Sequence, residues 1–325
     1  MRLETDSGRR IRLGHLVGKG GQGTVYQVQN NKSQAVKLYE MPIASLESRI
    51  KDMVAIPDNS RPSANYAAWP LEPVYETTGF WWWKKAKFVG YTMPYVANAH
   101  PIFCYYIPKE RRKRKWNFNW GHMHLLAFSL ATVFKQFHDH NFVIGDVNCK
   151  NILVNDQLIP IIIDTDSIQI SSIYTTDVGF EEYTPPELTG HSLKNVVRNQ
   201  YHDLFGLGYL IFQLLMNGCS PFAGVPKADL DFDYVDKRCK ELGIFPFYAN
   251  PYVGPPCGMP TVDVFHPEIS KGFISCFIKG RKDPCDRPSA ADWRKKLKAA
   301  ETCLIRCKTN ADHIYSAHLS GCPWC

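Results

Sequence analysis

Apolar residues recur along this chain at two spacings. Leu46, Ile50, Met53 and Val54 fall three and four apart, which predicts a helix over 44–55. The same period returns over 122–140, where Leu126, Leu130, Val133, Phe134 and Phe137 share a face. Residues 203–216 are apolar almost all round, as a buried helix would be, and a further helix is expected over 290–303. Strand-like runs crowd the first hundred residues. They include Val25, Tyr26 and Val28, then Ala35-Val36-Lys37, then Leu71–Thr77 and Trp81–Tyr91 turning at Thr78-Gly79. Two more, Ile152–Val154 and Pro160–Ile163, flank a turn at Asn155-Asp156. Strands early and helices late predict an α+β chain.

Between these elements, residues 57–70 are rich in Pro, Ser, Asn and Ala and read as a loop. The basic run Lys109–Lys115 reads as a solvated loop before a helix, with a substrate- or nucleic-acid-facing patch as the alternative, and no nucleic-acid partner is expected. The rings of Trp81-Trp82-Trp83 are explained by strand alternation packing on a lobe or a partner, not by stacking on bases.

Composition narrows the class. A chain of 325 residues, 45% hydrophobic with ordinary Gly and Pro content, can bury a sizeable core and is globular. A net charge of +7 suits anionic ligands such as nucleotides without arguing for nucleic acid. No apolar run is long enough to span a bilayer, and the stretch MRLETDSGRR lacks a signal peptide's apolar segment, so a cytoplasmic protein without a membrane partner is expected. Cysteines number eleven, an odd count that argues against a disulfide framework, and Cys104, Cys219, Cys239 and Cys276 sit in apolar surroundings as small core residues.

Three stretches carry chemistry. Gly18-Lys19-Gly20-Gly21-Gln22-Gly23-Thr24-Val25 fits G-x-G-x-x-G-x-V and continues as a strand, so it reads as a hairpin tip whose backbone N–H groups can approach phosphate; a tight surface hairpin is the bland alternative. Val143-Ile144-Gly145-Asp146 delivers an Asp, Asn151 follows five residues later, and Asp164 ends the next strand. Two carboxylates and an amide are hard oxygen donors that suit Mg²⁺, although turn-forming Asp and Asn in a plain β-hairpin would give the same spacing. In the tail, Cys322-x-x-Cys325 is a chelating knuckle that Cys307 and His313 would complete as a closed structural Zn²⁺ site; His318 is the alternative to His313, and Cys303 to Cys307. Free thiols or a redox Cys-x-x-Cys are the competing readings.

With these residues quoted, residues from about 10 to 300 resemble the eukaryotic-type protein kinases. The resemblance implies a bilobal fold with a β-rich N-lobe over 1–96, a helical C-lobe over 97–300 and a small zinc-binding element over 301–325. It implies ATP and Mg²⁺ as cofactors. Gly18, Lys19, Gly20, Gly21, Gly23, Val25, Ala35 and Lys37 would hold the nucleotide, with Met93, Tyr95 and Val96 at the adenine. Asp146 would take the acceptor's proton, Asn151 and Asp164 would ligate Mg²⁺, and Lys37 would pair with Glu47 on the following helix, with Glu40 as rival; Glu47 could instead be a surface residue pairing with Lys51. Asp203 would brace the catalytic loop, and Arg287 would pair with Glu187 of Thr184-Pro185-Pro186-Glu187. The form Gly-Asp-Val-Asn-x-x-Asn and the Cys-Pro-Trp-Cys end look like bacterial Ser/Thr kinase-like proteins with a C-terminal zinc element. Some of those are encoded beside a PP2C-type phosphatase and a von Willebrand A-domain protein in tellurite-resistance-type stress operons, which implies those partners beside a protein substrate.

The chain departs from the family at five positions. Ile144 and Gly145 replace the catalytic-loop His and Arg, Asn148 replaces its Lys (with Lys150 nearby), and Thr165-Asp166 replaces Phe-Gly. Without that Arg, activity independent of activation-segment phosphorylation is expected. The alternative function is a pseudokinase, a nucleotide-binding scaffold that docks partners.

Overall fold

The structure, a computed structural model, describes residues 2–325 except 80–82, 84, 171–172, 178, 195 and 228–234. The expectation for Trp81 and Trp82 therefore lies outside the described residues; Trp83 is exposed. Two compact units are present, Met1–Ala99 with Ile161–Ile168, and His100–Pro160 with Gln169–Cys325.

In the first unit, alternating side chains build an antiparallel sheet. Its strands are β1 (Arg2–Thr5), β2 (Arg10–Ile11), β3 (Leu13–Lys19), β4 (Gly23–Val28), β5 (Gln34–Tyr39), β6 (Glu72–Thr78) and β7 (Lys85–Pro94). They lie in the order β2-β1-β6-β7-β5-β4-β3. Leu3, Ile11, Val28, Val36 and Val74 are buried together, so one face of the pleat is a core. Helix α1 (Ala44–Ala55) matches the expected span and buries Ile50 and Met53. The segment 161–168 is tied in by backbone bonds from Ala68 N–H to the Ile162 carbonyl at 2.9 Å and from Ile162 N–H to the Tyr66 carbonyl at 2.9 Å.

The second unit is helical. The basic run expected as a loop forms helix α2 (Pro108–Lys113) instead. Proline at its start fits a first turn, and Glu110 pairs with Arg114 one turn on. Arg111 is further held by the Tyr105 carbonyl at 2.6 Å and Asn217 Oδ1 at 2.8 Å. Helix α3 (Trp120–Asp139) starts at a reciprocal cap: Asn119 Oδ1 accepts from His122 N–H at 3.3 Å, and His122 Nδ1 accepts from Asn119 N–H at 3.2 Å. Leu126, Leu130, Val133, Phe134 and Phe137 are buried, as their spacing predicts.

Two short strands, β8 (Phe142–Val143) and β9 (Ile152–Asn155), bracket the Asp146 loop, and β10 (Gln169–Ile170) pairs with β8. Helix α4 (Gln200–Leu215) is buried on nearly all sides, with Phe212 against Phe245, Phe247, Phe265, Phe273 and Phe277. Helices α5 (Pro267–Ile274) and α6 (Ala290–Thr302) close this core through Phe273 and Trp293, whose ring centroids are 5.1 Å apart. The chain ends in a hairpin of β11 (Leu304–Arg306) and β12 (Ile314–Ser316). Among the described residues no helix is long and apolar enough to cross a membrane.

Candidate functional site

The expected site residues fall into two groups, one in each unit. In the first unit, β3 and β4 form the glycine-loop hairpin, with Gly18 opposite Val25 and Lys19 opposite Thr24. Around Gly18 and Gly21 a Cβ would meet nothing within 4 Å, so crowding does not require glycine at either position. Gly23 has a different reason to be glycine: a Cβ there would lie 2.4 Å from the Leu38 carbonyl oxygen, so it serves the close approach of β4 to β5. Ala35 and Met93 face each other across β5 and β7 and are buried. Pro94 has no N–H, and the Tyr95 N–H is taken by the Ser33 carbonyl at 2.9 Å.

Lys37 and Tyr39 are two apart on β5 and share a face, and Tyr91 lies directly opposite Lys37 on β7. Their three polar ends converge on Asp166. Lys37 Nζ donates to both Asp166 oxygens at 2.9 Å, Tyr39 Oη to Oδ2 at 2.6 Å and Tyr91 Oη to Oδ1 at 2.9 Å. Lys37 also pairs with Asp164, which lies 127 residues away in sequence. Asp164 has left-handed backbone angles (φ 60°, ψ 37°), and Thr165 Oγ1, next to it, bonds the Ala68 carbonyl at 2.8 Å. Burial works against a charged Lys37, but Asp166 and Asp164 outweigh it and raise its pKa above the ordinary value. Burial and the Asp166 charge push the Asp164 carboxyl up, against the pull of Lys37. Asp166 is also penalised by burial, yet Lys37 and the two tyrosine hydroxyls hold it below its ordinary value.

Glu47 does not take part. Its carboxylate accepts from Lys51 Nζ at 2.7 Å and Tyr75 Oη at 3.0 Å, and the Lys51 bond leads in lowering its pKa. The expected Lys37–Glu47 pair is thus corrected to an i,i+4 surface pair on α1. The reason is geometric: Lys37 is already saturated by two carboxylates from the 161–168 segment, of which Asp166 was not expected as a partner. Glu40, the rival, pairs with Lys19 at 3.4 Å.

In the second unit, the loop after β8 presents Asp146 and Asn151. Asn151 Nδ2 donates to Asp146 Oδ2 at 2.9 Å. A carboxylate only accepts, so the amide nitrogen must face it, and Oδ1 is the end left for a cation. Asn148 is buried and caps this turn: its Oδ1 accepts from the N–H groups of Lys150 at 2.9 Å and Asn151 at 3.1 Å. Lys150 lies over the Phe180 ring at 5.8 Å. Asp203, expected to brace the loop, accepts from Ile144 N–H at 2.7 Å and Gly145 N–H at 2.8 Å, with His138 Nε2 at 3.1 Å.

An arginine at position 145 would be strained. The φ there is +73°, and a Cβ would meet Thr176 Oγ1 at 2.6 Å. A buried guanidinium arrives instead from Arg198, which donates to the Gly145 carbonyl while Gln169 bonds the Arg198 backbone at 2.6 and 2.7 Å. Arg198 lies 53 residues from Gly145, and no local spacing announces it. Farther along, Arg287 and Glu187 make a bidentate pair, both bonds 2.7 Å, with Arg287 fully buried.

At the C-terminal hairpin, Cys307, His313, Cys322 and Cys325 place one ligand atom each within 4.8 Å of one another. Cys307 Sγ and Cys325 Sγ are 3.5 Å apart, His313 Nδ1 and Cys325 Sγ 3.4 Å, and Cys322 Sγ and His313 Nδ1 3.7 Å. Thiolate and imidazole ligands on a tetrahedral zinc stand about 3.5–3.7 Å apart, so the donor set fits that ion. Cys307 also accepts from the Thr309 N–H at 3.3 Å, and backbone N–H groups of Asn310 and Thr309 bring its pKa down to about 7. Of the alternative ligands, His318 contacts the Asp263 carbonyl at 3.0 Å and Ser316 Oγ at 2.8 Å, while Cys303 lies at the end of α6 and is not in the cluster.

No family model matches the chain. The chain is similar to protein kinase YegI of Escherichia coli strain K12, with 31% identity over 335 aligned residues covering 100% of this chain and 50% of that protein. It is similar to protein kinase YegI of Escherichia coli O157:H7 at 31% over 333 residues, covering 99% of this chain and 50% of that protein. The chain thus spans about half the length of the curated relatives it matches.

Proposed function

We propose that this chain is a protein kinase, dependent on ATP and Mg²⁺, that phosphorylates Ser or Thr hydroxyls of a protein substrate and carries a structural zinc ion. The observation that carries the reading is the Lys37–Asp164 pair, which joins an amine suited to phosphate with a carboxylate suited to a hard cation. Similarity along the whole chain to proteins named as kinases supports it. Magnesium, when bound, neutralises charge on the phosphates as the γ-phosphoryl group leaves. On the protein side, the glycine loop and Lys37 hold the phosphates. Asp164 and Asn151 Oδ1 offer oxygen to the cation, and Asp146 orients the acceptor hydroxyl and takes its proton. The expected PP2C-type phosphatase, von Willebrand A-domain protein and stress-operon setting stay with the resemblance that suggested them. Eleven unpaired cysteines suit the reducing cytoplasm of this proposal.

The test is phosphate transfer from labelled ATP with Mg²⁺ to a general protein acceptor and to the chain itself. Wild type should transfer, and Asp146→Asn and Asp164→Asn should each lose roughly three orders of magnitude, because positioning and charge carry nearly all of this catalysis. Silence from the wild type, or equal signal from all three, would overturn the reading.

A further inference from the structure

Any role for Lys37 in holding phosphate requires something to hold Lys37. The family resemblance assigns that work to a glutamate on the helix after the lysine strand, where it couples the amine to the position of that helix. Here the candidate glutamate is elsewhere. Its side chain is 30% exposed and bonded to Lys51, an exposed pair worth a few tenths of a kcal/mol. Asp166 is the opposite kind of group. Its side chain is 1% exposed and accepts four bonds, two from Lys37 and one each from Tyr39 and Tyr91.

We propose that Asp166 is the positioning residue for Lys37, so that the amine is set by β5, β7 and the turn after Asp164 and not by Glu47 of helix α1. This rests on the kinase reading for its catalytic meaning. Three facts of the framework support it. The register puts Lys37, Tyr39 and Tyr91 on one patch of the sheet, so their donors converge without any contribution from α1. Asp166 sits in the short turn Thr165–Ser167, which is pinned by Thr165 Oγ1 on the Ala68 carbonyl and by Ser167 Oγ on the Asp164 carbonyl at 2.8 Å. The four bonds described for the Asp166 carboxylate come from Lys37, Tyr39 and Tyr91 on β5 and β7, while Arg49 of α1 donates to the Ile168 carbonyl two residues on.

A buried carboxylate already satisfied by four bonds from three donor groups cannot release Lys37 without leaving a charge unpaired, which is costly.

The experiment uses the 325-residue chain and two readouts. In steady-state kinetics, Glu47→Gln should leave kcat and the KM for ATP within about twofold, whereas Asp166→Asn should raise that KM at least tenfold. In denaturation, the double-mutant cycle of Lys37→Met with Asp166→Asn should show coupling of at least tenfold in the folding equilibrium, about 1.4 kcal/mol. The cycle of Lys37→Met with Glu47→Gln should be additive within about twofold. If Asp166→Asn does not fold, Tyr91→Phe takes its place in both readouts, with the same direction expected at about threefold.

The cycle needs no catalysis, so an inactive wild type would refute the kinase reading while the cycle still decides what holds Lys37. Coupling of Lys37 to Glu47, loss of activity in folded Glu47→Gln, or unchanged kinetics in folded Asp166→Asn would overturn the proposal.

Discussion

Replacing Asp203 by Asn removes one charge and changes almost nothing in shape, which makes it a sharp probe of the Asp146 loop. The carboxylate receives the Gly145 N–H on Oδ1 and the Ile144 N–H on Oδ2, with His138 Nε2 also at Oδ2. An amide has one acceptor end. If its nitrogen takes the Oδ1 place, it faces the Gly145 N–H. If it takes the Oδ2 place, it faces the Ile144 N–H, although His138 could then accept. Either way one main-chain donor is orphaned against the side chain of Asp203, a residue that is only 1% exposed. Such an orphan costs about 1–3 kcal/mol, and the surviving bond loses its charge assistance, about another 1 kcal/mol. A local loss of about 3 kcal/mol follows, smaller than the total stability of a typical domain, so the chain should remain folded. Hydrogen exchange read by mass spectrometry on a peptide covering 142–147 should then speed up about 100-fold at Ile144 or Gly145, while peptides of β1 to β7 keep their rates. An acceleration below about fivefold, or one spread evenly over the chain, would show that Asp203 does not hold this loop.

The remaining predictions concern the C-terminal hairpin and a buried histidine. The purified chain should carry close to one zinc ion. Cys322→Ser and His313→Ala should lose it, His318→Ala should keep it, and metal analysis with a chelator titration reads the difference; retention by His313→Ala would move the site. Zinc loss should also alter tryptophan fluorescence, because Trp324 bonds the Ile314 carbonyl at 2.8 Å and lies 5.5 Å from the Trp120 ring. His124 is buried on α3, and its burial pushes the imidazole down to about 4, although Nδ1 bonds the Trp120 carbonyl at 3.0 Å. Between its ordinary value of 6.5 and about 4, the unfolded chain binds a proton that the folded chain refuses. Stability should therefore fall by about 3 kcal/mol as pH drops through that window. Urea midpoints measured against pH should lose that share of the slope in His124→Phe, and an unchanged slope would refute it.

Local patterning made much of this protein legible. Period and burial agree over α1, α3, α4 and α6 because each helix has one face, or all faces, committed to a core that its own residues specify. Asp146, Asn151, Asp164, Cys322 and Cys325 also stand out in the chain as candidate donors, since residue type at short spacing is itself a local feature. The run Lys109–Lys115 misleads for the same reason: charge density describes solvation, whereas the Glu110–Arg114 pair and the anchoring of Arg111 are contacts that no charge count contains.

What tertiary structure alone decided are the partnerships across long intervals of chain. Lys37 has two carboxylates within reach in space and a plausible glutamate ten residues on in sequence, and only the pairing of β5 with β7 turns it toward Asp166. Arg198 reaches the Gly145 carbonyl from 53 residues away, and Cys307 and His313, among several alternatives, meet the terminal knuckle. Side-chain spacing along one element is fixed by backbone geometry, and so it is written in the order of residues. Which distant polar groups satisfy one another is set by burial, where every donor and acceptor must find a partner at once, and that accounting exists only in the folded chain.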